Sequence, residues 1–156
     1  MTNEKRSFLP YGRQSITEVD ISAVVEILRS PFLTQGPTVP ALEHAVAVKV
    51  GVKYGVAVNS ATSALHIACL ALELGPGDRL WTSPITFVAS ANCGRYCGAE
   101  VDFVDIEPST GLISVAALEQ KLFKAERNGT LPKIVVPVHL AGSSCEMEAI
   151  GRLAQR

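Results

Sequence analysis

The chain has 156 residues, 47% of them hydrophobic and 19% charged, which suits one packed core and is short for most two-domain enzymes. Its 14 basic and 15 acidic side chains leave a net charge of −1, so electrostatics gives no reason to expect nucleic acid or an anionic membrane as partner. Apolar runs are short and interrupted, which excludes a membrane-spanning helix, and the polar residues 1–6 do not read as a signal peptide. A cytoplasmic protein is expected. The cysteines Cys69, Cys93, Cys97 and Cys145 form no CxxC pair, and the histidines lie outside zinc-ligand spacing. No metal site is expected. Cys93 and Cys97 fall one helical turn apart and read as buried, reduced thiols.

In chain order, residues 8–14 carry Pro10 and Gly12 and read as extended. A helix comes next, capped by Ser15 or Thr17, with Ile21, Val24, Val25 and Leu28 at helical spacing. Ser30-Pro31 stops it, and 33–37 is a loop. A second helix covers 39–50, with Leu42, Val46 and Val50 on one face, and Gly51 ends it. From there strands and helices alternate. Strands are expected at 54–58, 80–82, 100–104 and 133–138, and helices at 61–74, 87–97, 114–127 and 146–156. Repeated βα units with continuous apolar strands imply a mainly parallel sheet covered by helices. The last helix has neither cap nor stop signal, so the chain reads as ending mid-fold.

Three segments could carry chemistry, each where a strand hands over to a helix or a loop. Residues 58–66, Val-Asn-Ser-Ala-Thr-Ser-Ala-Leu-His, set small and hydroxyl residues at a helix start. Unpaired amides and the helix dipole favour an anion such as phosphate there, and Thr62 and Ser63 could add donors; plain N-capping explains the same residues. Residues 82–90 put Phe87 at the carboxyl edge of the sheet, either to stack on a flat heterocycle or to fill the core. Residues 136–142 end the fourth expected strand with His139, more simply a hydrogen-bonded structural residue than an acid or base. His44 and His66 fall within helices and read as structural. Dinucleotide GxGxxG, P-loop and GxSxG signatures are all missing, which disfavours a generic nucleotide-binding domain and a serine hydrolase.

Together, Leu33-Thr34-Gln35-Gly36-Pro37, residues 59–66, Gly75-Pro76-Gly77-Asp78, and residues 83–89, 101–108, 137–142 and 147–150 resemble the DegT/DnrJ/EryC1/StrS aminotransferases of PLP fold type I. The resemblance implies a three-layer α/β/α fold with a mainly parallel sheet: residues 1–50 as a helical arm, 51–156 as an incomplete large domain binding pyridoxal 5′-phosphate, and the smaller C-terminal domain absent. By the same resemblance Ala61, Thr62 and Ser63 hold the cofactor phosphate and Phe87 stacks on its ring. Tyr11, Thr34, Gln35 and His139 lie on the substrate side. The Schiff-base lysine and the aspartate that pairs with the pyridine nitrogen match nothing here. Lys5, Lys49, Lys53, Lys121, Lys124 and Lys133 all fall outside the matching motifs, so these residues alone are expected to be inactive. The wording of 10–14, 30–37 and 81–93 is most similar to the branch of the family that serves pseudaminic acid biosynthesis. That branch moves an amino group from glutamate to C4 of a 4-keto-6-deoxy UDP-sugar, and a homodimer is implied. Two alternatives stay open: a family member for a different keto-sugar nucleotide, and a truncated, non-catalytic binding or regulatory chain.

Overall fold

The computed structural model describes residues 12–155. Tyr11 lies outside them, as do residues 8–10 of the expected extended stretch. Contacts divide the chain between Ala57 and Val58 into two compact units.

The first unit holds two helices. Helix α1 spans Glu18–Arg29 and starts on a capping box: the Asp20 amide donates to Thr17 Oγ1, and the Thr17 amide donates to the Asp20 carboxylate at 2.7 Å. It stops at Ser30, ahead of Pro31. Helix α2 spans Thr38–Val50 and ends on Gly51 in the left-handed conformation, with φ 73°. Neither helix shelters its apolar stripe, since Ile21, Val24, Leu28, Leu42, Val46 and Val50 are all exposed, and Ala47 is the buried residue of α2.

The strand expected at 54–58 does not form. A strand needs a neighbour to take its amides and carbonyls, and none of the described strands pairs with this stretch. Its backbone leans on α2 instead. The Ala57 amide donates to Glu43 Oε1 at 2.9 Å, and Gly55 lies so close that a Cβ there would stand 2.6 Å from the Glu43 carbonyl oxygen.

The second unit alternates strictly: α3 (Ala61–Ala71), β1 (Arg79–Thr82), α4 (Ala89–Tyr96), β2 (Glu100–Phe103), α5 (Val115–Asn128), β3 (Ile134–Val136) and α6 (Met147–Ala154). The strands form one parallel sheet in the order β2-β1-β3. Successive side chains on a strand face opposite ways, and β1 sends one into each half of the core. Leu80 packs with Cys69, Leu74, Cys93 and Ala99 on the α3 and α4 side; Trp81 packs with Val104, Leu118, Ala125 and Ile150 on the α5 and α6 side. The result is a three-layer α/β/α arrangement.

Several element ends differ from expectation for local reasons. Helix α3 stops at Ala71, not residue 74, because Glu73 turns to φ 55° and lets Leu74 drop into the core. Helix α4 starts at Ala89, two residues late, after a bend in which the Thr86 and Ser90 hydroxyls pair at 2.8 Å. Strand β3 covers only Ile134–Val136 of the expected 133–138, and a short 3-10 turn at Leu140–Gly142, with Ala141 at φ 52°, follows it. Helix α5 matches closely, from the Ser114 cap to Gly129 at φ 63°.

Helix α4 seats tightly on the sheet at Gly94. A Cβ on that residue would lie 2.9 Å from Val101 Cγ2 and 3.1 Å from Leu80 Cβ. Charge lines the β2 side of the sheet. Arg79 pairs at 2.8 Å with Glu100, its direct cross-strand partner, and Lys121 pairs with Asp102 at 2.6 Å while its ammonium lies 4.8 Å from the Trp81 ring centre.

Candidate functional site

Connectivity decides where the candidate residues fall. Helix α3 ends, turns through Gly75–Asp78, and enters β1 at its amino end. The first turn of α3 therefore lies at the opposite, carboxyl end of the strands. Helix α4 comes after β1, so it starts at that same carboxyl edge, and the chain after β3 emerges there too. One edge thus gathers Ser60, Ala61, Thr62 and Ser63 from the start of α3, Phe87 from the bend after β1, and His139 from the turn after β3. Open α/β folds bind their ligands at this edge.

The start of α3 is built by its own side chains. Ser60 caps the helix, its Oγ accepting from the Ser63 amide at 3.2 Å. The Ser63 hydroxyl donates to Asn59 Oδ1 at 2.7 Å and sits 3.0 Å from the Ser60 hydroxyl. Asn59, Ser60 and Ser63 so form one hydroxyl-amide knot that fixes the loop. The Ala64 amide begins the helical ladder on the Ser60 carbonyl. This leaves the amides of Ala61 and Thr62, together with the half-buried Thr62 hydroxyl, without acceptors among the described residues. Ser63 differs from Thr62 in this respect: its hydroxyl proton is already given to Asn59 and is not offered outward to an anion.

Phe87 is 73% exposed, a large ring at the edge with little of it in the core. Ser83, directly after β1, is 1% exposed, and its Oγ has no hydrogen-bond partner. A buried hydroxyl left unpaired costs roughly 1–3 kcal/mol, so its retention is informative. Ser83 stands within one of the three segments that could carry chemistry, but the sequence holds no signal for its burial. Thr82, its neighbour, is satisfied by donating to the Val136 carbonyl at 2.9 Å.

His139 is held by the turn it begins. Its Nδ1 accepts from the Cys145 amide at 3.0 Å, and the Cys145 thiol donates to the Val138 carbonyl at 3.2 Å. In the neutral ring the proton is therefore on Nε2. Of the other histidines, His66 meets the Tyr96 ring edge-on at 5.3 Å, and His44 is exposed on α2.

Thr34 and Gln35 lie in the loop between α1 and α2, in the first unit. Lys121 is bound to Asp102, and Lys133 pairs with Asp78 at 3.0 Å at the amino end of β3, away from the carboxyl edge. A cavity of about 670 Å³ runs between α5 and α6, lined by Leu122, Phe123, Leu131 and Leu153 among others, and includes no residue of the candidate edge. Among the described residues no group of three His, Cys, Asp or Glu is placed to hold a metal ion, and no helix is long and apolar enough to cross a membrane.

The DegT/DnrJ/EryC1/StrS aminotransferase family model matches residues 14–156. The chain belongs to that family. Similar family members include the spore coat polysaccharide biosynthesis protein SpsC of Bacillus subtilis, 41% identical over 99% of this chain and 38% of its own length. The UDP-4-amino-4-deoxy-L-arabinose–oxoglutarate aminotransferase of Shewanella sediminis is 38% identical over 100% of this chain and 38% of its own length. Among solved structures, Helicobacter pylori PseC, an aminotransferase of pseudaminic acid biosynthesis, superimposes with a TM-score of 0.83 at 34% identity, covering 94% of this chain and 38% of that one. Other matched structures in the family were solved in PLP or PMP form. This DegT-family chain spans about 38% of the length of the curated relatives it matches.

Proposed function

We propose that residues 51–156 are the cofactor-cradling part of a PLP-dependent sugar-nucleotide aminotransferase, with residues 1–50 as an arm leading into it. The reading rests chiefly on one observation: the unpartnered amides of Ala61 and Thr62 share an edge with the exposed ring of Phe87. That set fits a phosphate monoester attached to a flat aromatic ring. The two amides and the Thr62 hydroxyl are aligned with the positive end of the α3 dipole, where a dianion is stabilised. Phe87 offers a face for stacking, worth about 0.5–1.5 kcal/mol. The knot of Asn59, Ser60 and Ser63 holds the loop in shape, so the donors need no rearrangement on binding. When bound, pyridoxal phosphate supplies an electron sink for moving an amino group between an amino acid and a keto group.

The complete protein, in this reading, takes the amino group from glutamate and delivers it to C4 of a 4-keto-6-deoxy UDP-sugar for pseudaminic acid biosynthesis, as a homodimer with Thr34, Gln35, Tyr11 and His139 on the substrate side. Its support is the likeness to PseC together with the motif wording of 30–37 and 81–93. A different keto-sugar nucleotide is the second reading, favoured by the 38% identity, over the whole chain, to the UDP-4-amino-4-deoxy-L-arabinose–oxoglutarate aminotransferase.

The cradle is testable with pyridoxamine phosphate, which cannot form an imine with surface lysines. Saturable quenching of the single tryptophan, Trp81, is expected, and inorganic phosphate should compete with it. Thr62→Val should weaken binding about 5–10-fold, the loss of one donor to an anion. Binding that ignores both Thr62→Val and phosphate would remove the assignment. Mixed with glutamate, PLP and a 4-keto UDP-sugar, the 156-residue chain is expected to transfer no amino group. Transfer by that chain would show that one of its own lysines serves.

A further inference from the structure

Three of the four cysteines meet on the α3 and α4 side of the sheet, a convergence the cofactor reading does not use. Cys69 of α3 and Cys93 of α4 are 3% and 1% exposed in one apolar cluster with Leu80 and Ala99, and the half-buried Cys97 packs against that cluster. Cys69, Cys93 and Cys97 thus share one packed cluster. Burial first, and then these two neighbours, push the Cys69 thiol up to about 12.

The three are not equivalent. Cys93 is committed, its thiol donating to the Ser90 carbonyl at 3.3 Å within α4. Cys97 is the C-cap of α4, with Gly98 next at φ 78°, and is the member of the trio that reaches solvent. Its amide closes the last turn on the Gly94 carbonyl at 3.1 Å, and helix ends are where local opening costs least. Cys69 belongs to α3, in the cluster against which Cys97 packs. Cys93 shares a helix with Cys97, so Cys69 is the cluster's thiol on a separate element that can close a disulfide bond of about 2.05 Å with it. Cys145 lies in the other half of the core, beneath α5 and α6.

We propose that Cys97 is a thiol modification site for low-molecular-weight disulfides, and that Cys69 resolves the adduct into a disulfide joining α3 to the end of α4. In the first step the Cys97 thiolate attacks one sulfur of the small disulfide. A mixed disulfide forms on Cys97, and the other half leaves as a thiolate that takes up the proton. In the second step Cys69 attacks the Cys97 sulfur, and its proton goes to the departing small thiolate. The Cys69–Cys97 bond forms and the second small thiol departs. Two protein thiols are oxidised, and one small disulfide is reduced to two thiols. The high-lying Cys69 thiol makes the second step the slow one, so the mixed disulfide on Cys97 accumulates before closure.

The probe is 2,2′-dithiodipyridine, added to the native 156-residue chain while pyridinethione release is tracked optically and the product is mapped by peptide mass. Release should come in two phases of about one equivalent each, ending in a linked Cys69–Cys97 peptide pair. Cys97→Ser, at the half-buried position, should slow the first phase by at least about tenfold. Cys69→Ala should leave one phase and a stable adduct on Cys97. Cys145→Ser should change neither phase. A linkage through Cys93 or Cys145, or a first phase that survives Cys97→Ser, overturns the proposal. So does a first phase no faster than the unfolding rate measured separately by denaturant jump, since the reaction would then report opening of the chain and not an accessible Cys97.

Discussion

Gly94 lets α4 settle onto Val101 and Leu80, and a methyl group there meets two side chains at 2.9 and 3.1 Å, one of them fully buried. Gly94→Ala should lower stability by about 1–3 kcal/mol through overpacking, read as a lower urea midpoint at unchanged slope. Ser60 acts through a cap. Ser60→Ala removes the acceptor for the Ser63 amide and should cost about 1 kcal/mol. It should also loosen the knot and weaken pyridoxamine phosphate binding, although Ser60 itself is not assigned to the phosphate. An unchanged affinity alongside the lower stability would separate the knot from the cradle. Thr17, Ser114, Gly51 and Gly129 are legible as helix ends from sequence because caps are local chemistry. Ser83 and Ala141 are not, because burial of one hydroxyl and a left-handed alanine depend on residues far along the chain.

At the scale of elements, alternation is legible wherever a segment has partners within the chain. The segments around 80, 100 and 134 form strands, while 54–58, richer in valine than β1 or β2, does not, since pairing depends on a neighbour and not on composition. The three-thiol cluster is unreadable for a related reason: Cys69 lies on one helix and Cys93 and Cys97 on the next, so spacing along the chain says nothing of their meeting. The cradle is half legible. Its position at a strand-to-helix handover follows from pattern, whereas the engagement of the Ser63 hydroxyl by Asn59 requires the loop's geometry. Helix α5 also carries Lys121, which joins Asp102, the Phe103 carbonyl and the Trp81 ring. Burial pushes the Asp102 carboxyl up, but hydrogen bonds from Lys121 and the Phe103 amide bring it below the usual carboxylate value of 3.8.

For the molecule as a whole, the lowered carboxyls of Asp102, Asp78 and Asp20 contribute to its behaviour in acid. The Asp78 carboxyl is lowered first by its hydrogen bond from Lys133 and then by the Gly75 amide. A carboxyl with a lower pKa folded than unfolded adds stability above its ordinary value and loses it as pH falls through the lowered one. The melting temperature should therefore hold steady above about pH 5 and drop below about pH 4. Replacing both Lys121 and Lys133 with methionine should flatten that drop; an equally steep fall in the double variant would place the acid sensitivity elsewhere. The apolar groove between α5 and α6 and the exposed stripes of α1 and α2 carry a further expectation. The 156-residue chain studied alone should melt broadly and scatter light at high concentration, because such surfaces associate. A sharp, concentration-independent transition would contradict this.

The strand order has a consequence for synthesis on the ribosome. The central strand, β1, is made first and its neighbours later: Thr82 finds its partner on one side at Phe103 and on the other at Val136. At about 5–20 residues per second, β1 emerges roughly 3–10 s before β3 is available to flank it. Through that interval Leu80 and Trp81, destined for opposite halves of the core, have no complete sheet to sit in. Nascent chains stalled before residue 134 should thus engage a holding chaperone, and chains released past it should let go.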